Sequence, residues 1–210
     1  MQVAVLGLGR FGTQLAESLA EEGHEVLAID ISENEIQQIA DRVTKAAIAD
    51  ITDEQALRDL GVGNMDVGVV ATAVLESSML AAMNLQSLGV PGVYAKAGSQ
   101  RHATMLRRIG VQRVIEPEKE GGLRFAHLLR LQQAKDYLSL TREYGVAVYE
   151  PPPRLYGTTL DKLDADSTTR RLLMLVRDNE VQLNPVRSQT IKANDLLLFS
   201  GADEDLAADL

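Results

Sequence analysis

Gly7-Leu8-Gly9-Arg10-Phe11-Gly12 stands between an apolar run, Val3 to Leu6, and a stretch that places Leu15, Ala16 and Leu19 on one helical face. A second apolar run, Val26 to Ile29, ends in Asp30. The chemistry this spacing supports is capture of an adenine nucleotide. Gly7 permits a tight turn out of a strand. Gly9 lets the backbone approach a phosphate, where a side chain would fill the space. Gly12 lets the helix pack closely on the strand. The phosphates then face a helix N-terminus, whose N–H groups and dipole favour an anion. A carboxylate at Asp30 accepts hydrogen bonds from ribose hydroxyls and repels a 2′-phosphate. That pattern points to NAD or an adenosine phosphate and away from NADP. The alternative is a glycine turn that serves packing alone.

The elements that must position these residues follow in order. Ser32 and Glu35 form a capping box, and Ile36, Ile39, Ala40 and Val43 give the next helix its apolar face. Lys45 to Asp50 reads as a strand, and Thr52-Asp53-Glu54 opens a helix that stops at Gly61. Val67 to Ala73 is a buried strand, followed by a helix from about Glu76 to Leu88 that Gly89 and Pro91 end. Val93 to Ala97, a helix from Arg101 to Ile109, and Arg113 to Ile115 complete the alternation. Strands alternating with helices predict an α/β fold, a Rossmann-like doubly wound parallel sheet, over residues 1–117. A helix over 118–138 follows, with Leu123, Phe125, Ala126, Leu128, Leu129 and Leu131 on a broad apolar face suited to a subunit interface, the alternative being packing on its own sheet. Residues 139–210 read as a small α+β domain. It has a strand at Val146 to Tyr149, the interruption Pro151-Pro152-Pro153, a hairpin turning at Arg177-Asp178-Asn179-Glu180, and a last strand at Leu196 to Phe199.

Composition narrows the function. The chain has 210 residues, 45% hydrophobic but only 4% aromatic, so its cores must be aliphatic. It has no cysteine, which excludes disulfides, thiolate metal sites and cysteine nucleophiles. The formal net charge of −9 argues against general nucleic-acid binding. No apolar run is long enough to span a membrane, and the N-terminus enters a strand at once. The expectation is a soluble, cytoplasmic protein. His24, His102 and His127 are scattered without metal-ligand spacing. Asp161, Asp164 and Asp166 read as a solvated acidic face, with a cation site as the alternative.

The order of motifs resembles the RCK (also called KTN) family, cytoplasmic regulators of potassium channels and transporters. The resemblance rests on the glycine turn, Asp30-Ile31, Ala49-Asp50-Ile51-Thr52, Tyr94-Ala95-Lys96-Ala97, Arg108-Ile109-Gly110-Val111 and Glu116-Pro117-Glu118-Lys119. It covers the whole chain, and the single N-terminal copy resembles the Ktr-type regulatory subunits of bacterial potassium uptake rather than the longer Trk-type. The resemblance implies a ring of eight subunits built from dimers, docked on an integral-membrane potassium transporter at the inner face of the cell membrane. It also implies that ATP and ADP share one site and favour different ring shapes. By the same resemblance Arg10 reaches the γ-phosphate of a neighbouring subunit's nucleotide, or is a solvated helix-start arginine; Asp30 holds the ribose; and Asp50, otherwise a plain helix-start acid, lies with Ile51 near the adenine. Ala71 and Thr72 leave room for the nucleotide, and Lys96 approaches the phosphates or forms a salt bridge. Glu118 helps to hold Mg²⁺ or another cation beside the phosphates, or is an ordinary first-turn acid. Related proteins bind cyclic di-AMP in the C-terminal domain. Here Thr158-Thr159-Leu160, Leu163 and Asn184-Pro185 occupy the matching stretches, with threonines where an aliphatic pair is expected. The competing functions are an NAD(H)-responsive redox sensor and a small NAD-dependent oxidoreductase. Residues 139–210 contain no histidine and no evident catalytic constellation, which favours a regulator over an enzyme.

Overall fold

The computed structural model describes residues 1–131, 133–164 and 170–208. The chain forms two compact units, Met1–Glu118 and Lys119–Leu210. Among the described residues no helix is long and apolar enough to cross a membrane.

In the first unit β1 (Gln2–Leu6), β2 (Glu25–Asp30), β3 (Lys45–Ile48), β4 (Val67–Val70), β5 (Gly92–Lys96) and β6 (Arg113–Ile115) alternate with α1 (Arg10–Glu21), α2 (Glu33–Ile39), α3 (Glu54–Asp59), α4 (Leu75–Ser87) and α5 (Gln100–Arg108). The strands form one parallel sheet in the order β3-β2-β1-β4-β5-β6, which is the doubly wound arrangement. Successive side chains of a strand point to opposite faces, and here both faces are covered. Ala4, Leu6, Leu27 and Ile29 pack with Leu57, Ala81, Leu85 and Leu106 from α3, α4 and α5. Val3, Val5, Val26 and Ala28 pack on the other face with Ala16, Ile36 and Ile39 from α1 and α2. The helix caps form, but the capping box expected of Ser32 and Glu35 is only half made, because the Ser32 N–H donates to Asp30 Oδ1. Ser32 Oγ accepts from the Glu35 N–H, and Asp53 Oδ1 accepts from those of Gln55 and Ala56.

The second unit is a five-stranded antiparallel sheet, β10-β9-β11-β8-β7, from β7 (Ala134–Ser139), β8 (Tyr144–Tyr149), β9 (Arg170–Arg177), β10 (Glu180–Leu183) and β11 (Leu196–Ala202). Its core is mostly aliphatic around Tyr137 and the pair Tyr149 and Phe199, edge-on with ring centres 5.9 Å apart. The β9–β10 hairpin turns through Asp178 and Asn179, both with positive φ, as its composition led us to expect. Two short helices complete it, α7 (Asp161–Asp164) and α8 (Asp203–Leu206), numbered after α6 (Pro117–Arg130). Asp161 is exposed; Asp166 of the expected acidic face lies outside the described residues.

One boundary differs from the sequence reading. The helix expected over 118–138 ends at Arg130, and 134–139 form β7 paired with β8. Nothing between Leu131 and Tyr137 breaks a helix; Gln, Ala and Lys are good helix formers. Pairing with a strand later in the chain overrides local preference, and Tyr137 becomes a buried sheet residue 3% exposed. The apolar face of α6 also divides. Leu128 and Leu131 pack into the second core, while Leu123, Phe125 and Leu129 remain exposed.

Two polar clusters inside this unit left no trace in local sequence. Asp203, 4% exposed, accepts from Tyr137 Oη at 2.6 Å and lies 3.2 Å from His127 Nδ1, whose ring stacks on Tyr137. Burial and this acid together push the Tyr137 hydroxyl up to about 12. Asp195 is fully buried and accepts two parallel bonds from Arg177, each 2.7 Å, and one from the Lys192 N–H at 2.8 Å. Burial alone would raise the Asp195 carboxyl; the bonds from Arg177 and Lys192 outweigh it and hold the group below the usual carboxylate range. Removing one partner of such a pair strands the other, so Asp195→Asn is expected to cost about 3 kcal/mol in urea unfolding of the second unit. Because the folded carboxyl is depressed, its contribution is complete above the unfolded value near ~3.9 and is lost as pH falls below it. The stability difference between wild type and Asp195→Asn should therefore shrink in acid; a difference that stays constant from pH 7 to pH 3 would contradict this assignment.

Candidate nucleotide site

β1 and β4 are neighbours, yet the chain leaves β1 for β2 on one side and β4 for β5 on the other. Crossovers diverging at such a point open a crevice at the carboxyl ends of the strands. A cleft of 910 Å³ lies there. Gly7, Gly9, Arg10, Phe11, Asp30, Ile31, Asp50, Ile51, Ala71, Thr72, Lys96 and Glu118 all line it. The sequence-derived set is thus brought together apart from Leu8 and Gly12, which sit behind the cleft.

The three glycines do different work. Gly7 has φ +97°, a left-handed value that glycine adopts without penalty, and its N–H donates to the Ile29 carbonyl at 2.8 Å. A Cβ on Gly12 would lie 1.9 Å from the Gly7 carbonyl oxygen and 3.1 Å from the Ala71 Cβ, so Gly12 is required by the protein itself. Gly9 is the opposite case. Its backbone is ordinary, φ −65° and ψ 178°, and a Cβ there would meet no protein atom within 4 Å. Neither the fold nor the turn needs glycine at this position. Gly9 caps α1, whose first turn carries no acid and no side-chain cap, so its N–H groups are available to an anion.

Asp30 serves the loop in this structure. Its Oδ2 accepts from the Leu8 N–H at 2.6 Å and its Oδ1 from the Ser32 N–H at 2.8 Å. These bonds clamp the glycine turn against the end of β2. Each oxygen keeps a further lone pair for a ribose hydroxyl. Leu8 itself is fully buried beneath α1, so the cleft receives its backbone placement and not its side chain. Asp50 accepts from the Thr52 N–H at 2.8 Å and the Thr52 hydroxyl at 2.7 Å, which hold its carboxyl below the usual range and keep it ionised. Asn84 in turn donates to the Thr52 carbonyl at 2.9 Å and fixes this segment. Ile31 is 70% exposed, an apolar side chain on the rim of the cleft. Lys96 takes the salt-bridge alternative: its Nζ is 2.7 Å from Glu118 Oε1, and this bond lowers the Glu118 carboxyl.

Thr52, Ala73, Val74, Ser77 and Pro117 also line the cleft; Thr52 and Pro117 stood in the family motifs, but none of the five was named as a nucleotide ligand from sequence. The signal for Ala73, Val74 and Ser77 was positional: they follow β4 at the switch point. In the second unit, Leu160 and Leu163 of the stretch matched to cyclic di-AMP binding are core residues, and Thr159 bridges Thr190.

Residues 3–117 match the TrkA-N domain. Ktr system potassium uptake protein C of Bacillus subtilis (strain 168) is 34% identical over 98% of this chain and 94% of its own length. The chain belongs to the RCK, or TrkA-N, family. Among solved structures, this RCK chain is similar in fold to the GsuK channel bound to NAD (TM-score 0.65, 14% identity, 99% of this chain and 39% of that one). It is also similar to GsuK bound to ADP (TM-score 0.51, 15% identity, 64% and 34%). The chain spans well under half the length of those channel chains.

Proposed function

We propose that this RCK chain is the nucleotide-sensing regulatory subunit of a potassium uptake system, binding ATP and ADP in the cleft at the β1–β4 switch point. The observation that carries the reading is Gly9: the protein leaves open the space a side chain would fill, at a helix N-terminus that no side chain caps. The ADP- and NAD-bound structures of a similar fold support a nucleotide in this cleft, and the potassium-uptake relative supports the pathway it regulates. Its partner is then an integral-membrane potassium transporter, at whose cytoplasmic face the chain works. Its output is a change of shape rather than a reaction. Exposed Leu123, Phe125 and Leu129 on α6 suit burial against a second copy, the dimer from which an octameric ring is built.

A ring that responds to ATP and not to ADP needs a group that feels the extra phosphate, because a ligand bound equally in both states shifts nothing. Arg10, exposed at the start of α1 on the cleft, is that group. Arg10→Ala is expected to weaken ATP about tenfold and ADP about twofold or less, measured by calorimetric titration with and without Mg²⁺. Equal losses for both nucleotides would remove Arg10 from that role. The same titration with NADH tests the second reading, an NAD(H)-responsive sensor, which the NAD-bound structure favours. Tight NADH with weak ATP would replace the first reading by the second. Cyclic di-AMP, titrated in parallel, tests whether the second unit is a further nucleotide site.

A further inference from the structure

The cleft contains an ion pair whose chemistry opposes its ligand. Lys96 stands at the end of β5 with its side chain only 13% exposed, and its Nζ is 2.7 Å from Glu118 Oε1 and 5.9 Å from the centre of the Phe11 ring. Glu118 is 69% exposed, and its carboxylate is stabilised first by Lys96 and also by Arg10. Both cations that line the cleft therefore act on one carboxylate. Such a carboxylate repels phosphate and also occupies the ammonium that phosphate would use.

We propose that Glu118 is an internal counter-ion for Lys96, and that nucleotide phosphate exchanges places with it on binding. The proposal rests on the nucleotide reading above. The Lys96 side chain is largely buried with its head beside Phe11, so the exposed Glu118 side chain is the partner that moves. A more highly charged nucleotide gains more from a freed Lys96 and loses more to a resident Glu118. Glu118 thus sets how sharply the cleft distinguishes tri-, di- and monophosphates. It is also the last residue of the first unit, in the first turn of α6, so the exchange releases a side chain at the point where the chain leaves the nucleotide unit.

The test is calorimetric titration of the full chain with ATP, ADP and AMP in the presence of a chelator, so that no divalent cation contributes. Wild type, Glu118→Gln, Lys96→Gln and the double variant are compared, with circular dichroism confirming that each is folded. Glu118→Gln is expected to tighten ATP about three- to tenfold, with a smaller gain for ADP and the smallest for AMP. Lys96→Gln is expected to weaken all three in the same order. In the Lys96→Gln background the gain from Glu118→Gln should fall by at least half on a logarithmic scale, because no ammonium is left to free. A gain of equal size with and without Lys96 would show that Glu118 acts as a plain like charge and would overturn the exchange. Unchanged or weaker ATP binding by Glu118→Gln would overturn it as well. These results are distinct from failure of the underlying reading, in which wild type binds none of the three nucleotides.

Discussion

Gly12→Ala is expected to unfold the first unit while leaving the second one folded. The added Cβ would stand 1.9 Å from the Gly7 carbonyl oxygen, and that oxygen belongs to backbone. It cannot rotate away as a side-chain tip would. Relief requires α1 to move off β1, which breaks contacts of the fully buried Ala16 and Leu8 and disturbs Ala71 on the cleft wall. The cost should be on the order of 4 kcal/mol or more, a large part of the stability of a domain this size. Because the two units have separate cores, a single transition is not the right measure. Amide hydrogen exchange resolves them. Protection should collapse in β1, β2 and β4 and persist in β8, β9 and β11. Retained protection in β1 would mean that the helix accommodates the methyl group, and the close α1–β1 approach would lose its assigned importance.

Gly9→Ala should give the reverse result. Its backbone dihedrals suit alanine, and the new methyl group meets open space. Replacing glycine by alanine in such a conformation is neutral or stabilising by about 0.4–1 kcal/mol, through reduced freedom of the unfolded chain. The melting temperature should therefore hold or rise slightly. Nucleotide affinity should fall by about a hundredfold or more, because the methyl group occupies the approach of phosphate to the α1 N–H groups. Fluorescence or calorimetric titration with ADP, alongside thermal melting, reads both quantities. Loss of affinity without loss of stability separates a ligand-imposed glycine from a fold-imposed one. Unchanged ADP affinity would remove the phosphate from this turn.

The pair also shows what was legible beforehand. The glycine turn, the acid at the end of β2 and the alternation of apolar runs are local patterns with fixed periods, and the parallel sheet follows from them with its crevice. The division of labour among the glycines is not local. It depends on Gly7, Gly12 and Ala71 meeting across β1, α1 and β4. Asp30 is similar: its position after β2 marked it as a site residue, but only the folded chain assigns its two oxygens to the Leu8 and Ser32 N–H groups.

By itself, the sequence determined the class of fold and the place of the cleft, with the glycine turn and Asp30 on its wall; Asp50, Ile51, Ala71, Thr72, Lys96 and Glu118 were added by the family resemblance. Hydrophobic periodicity and turn chemistry act over a few residues and read directly from the chain. Tertiary structure decided the rest. It turned Ala134–Ser139 from a plausible helix end into β7, because β8 supplies hydrogen bonds that local propensity cannot anticipate. It joined Arg177 to Asp195, Tyr137 to Asp203 and Lys96 to Glu118. Each of these joins groups well apart in the chain, and burial makes the choice of partner strict where an unpaired charge would be costly. The sequence left Lys96 between a phosphate ligand and a salt bridge, and Glu118 between a cation ligand and an ordinary first-turn acid; contact in the folded cleft makes them partners of each other.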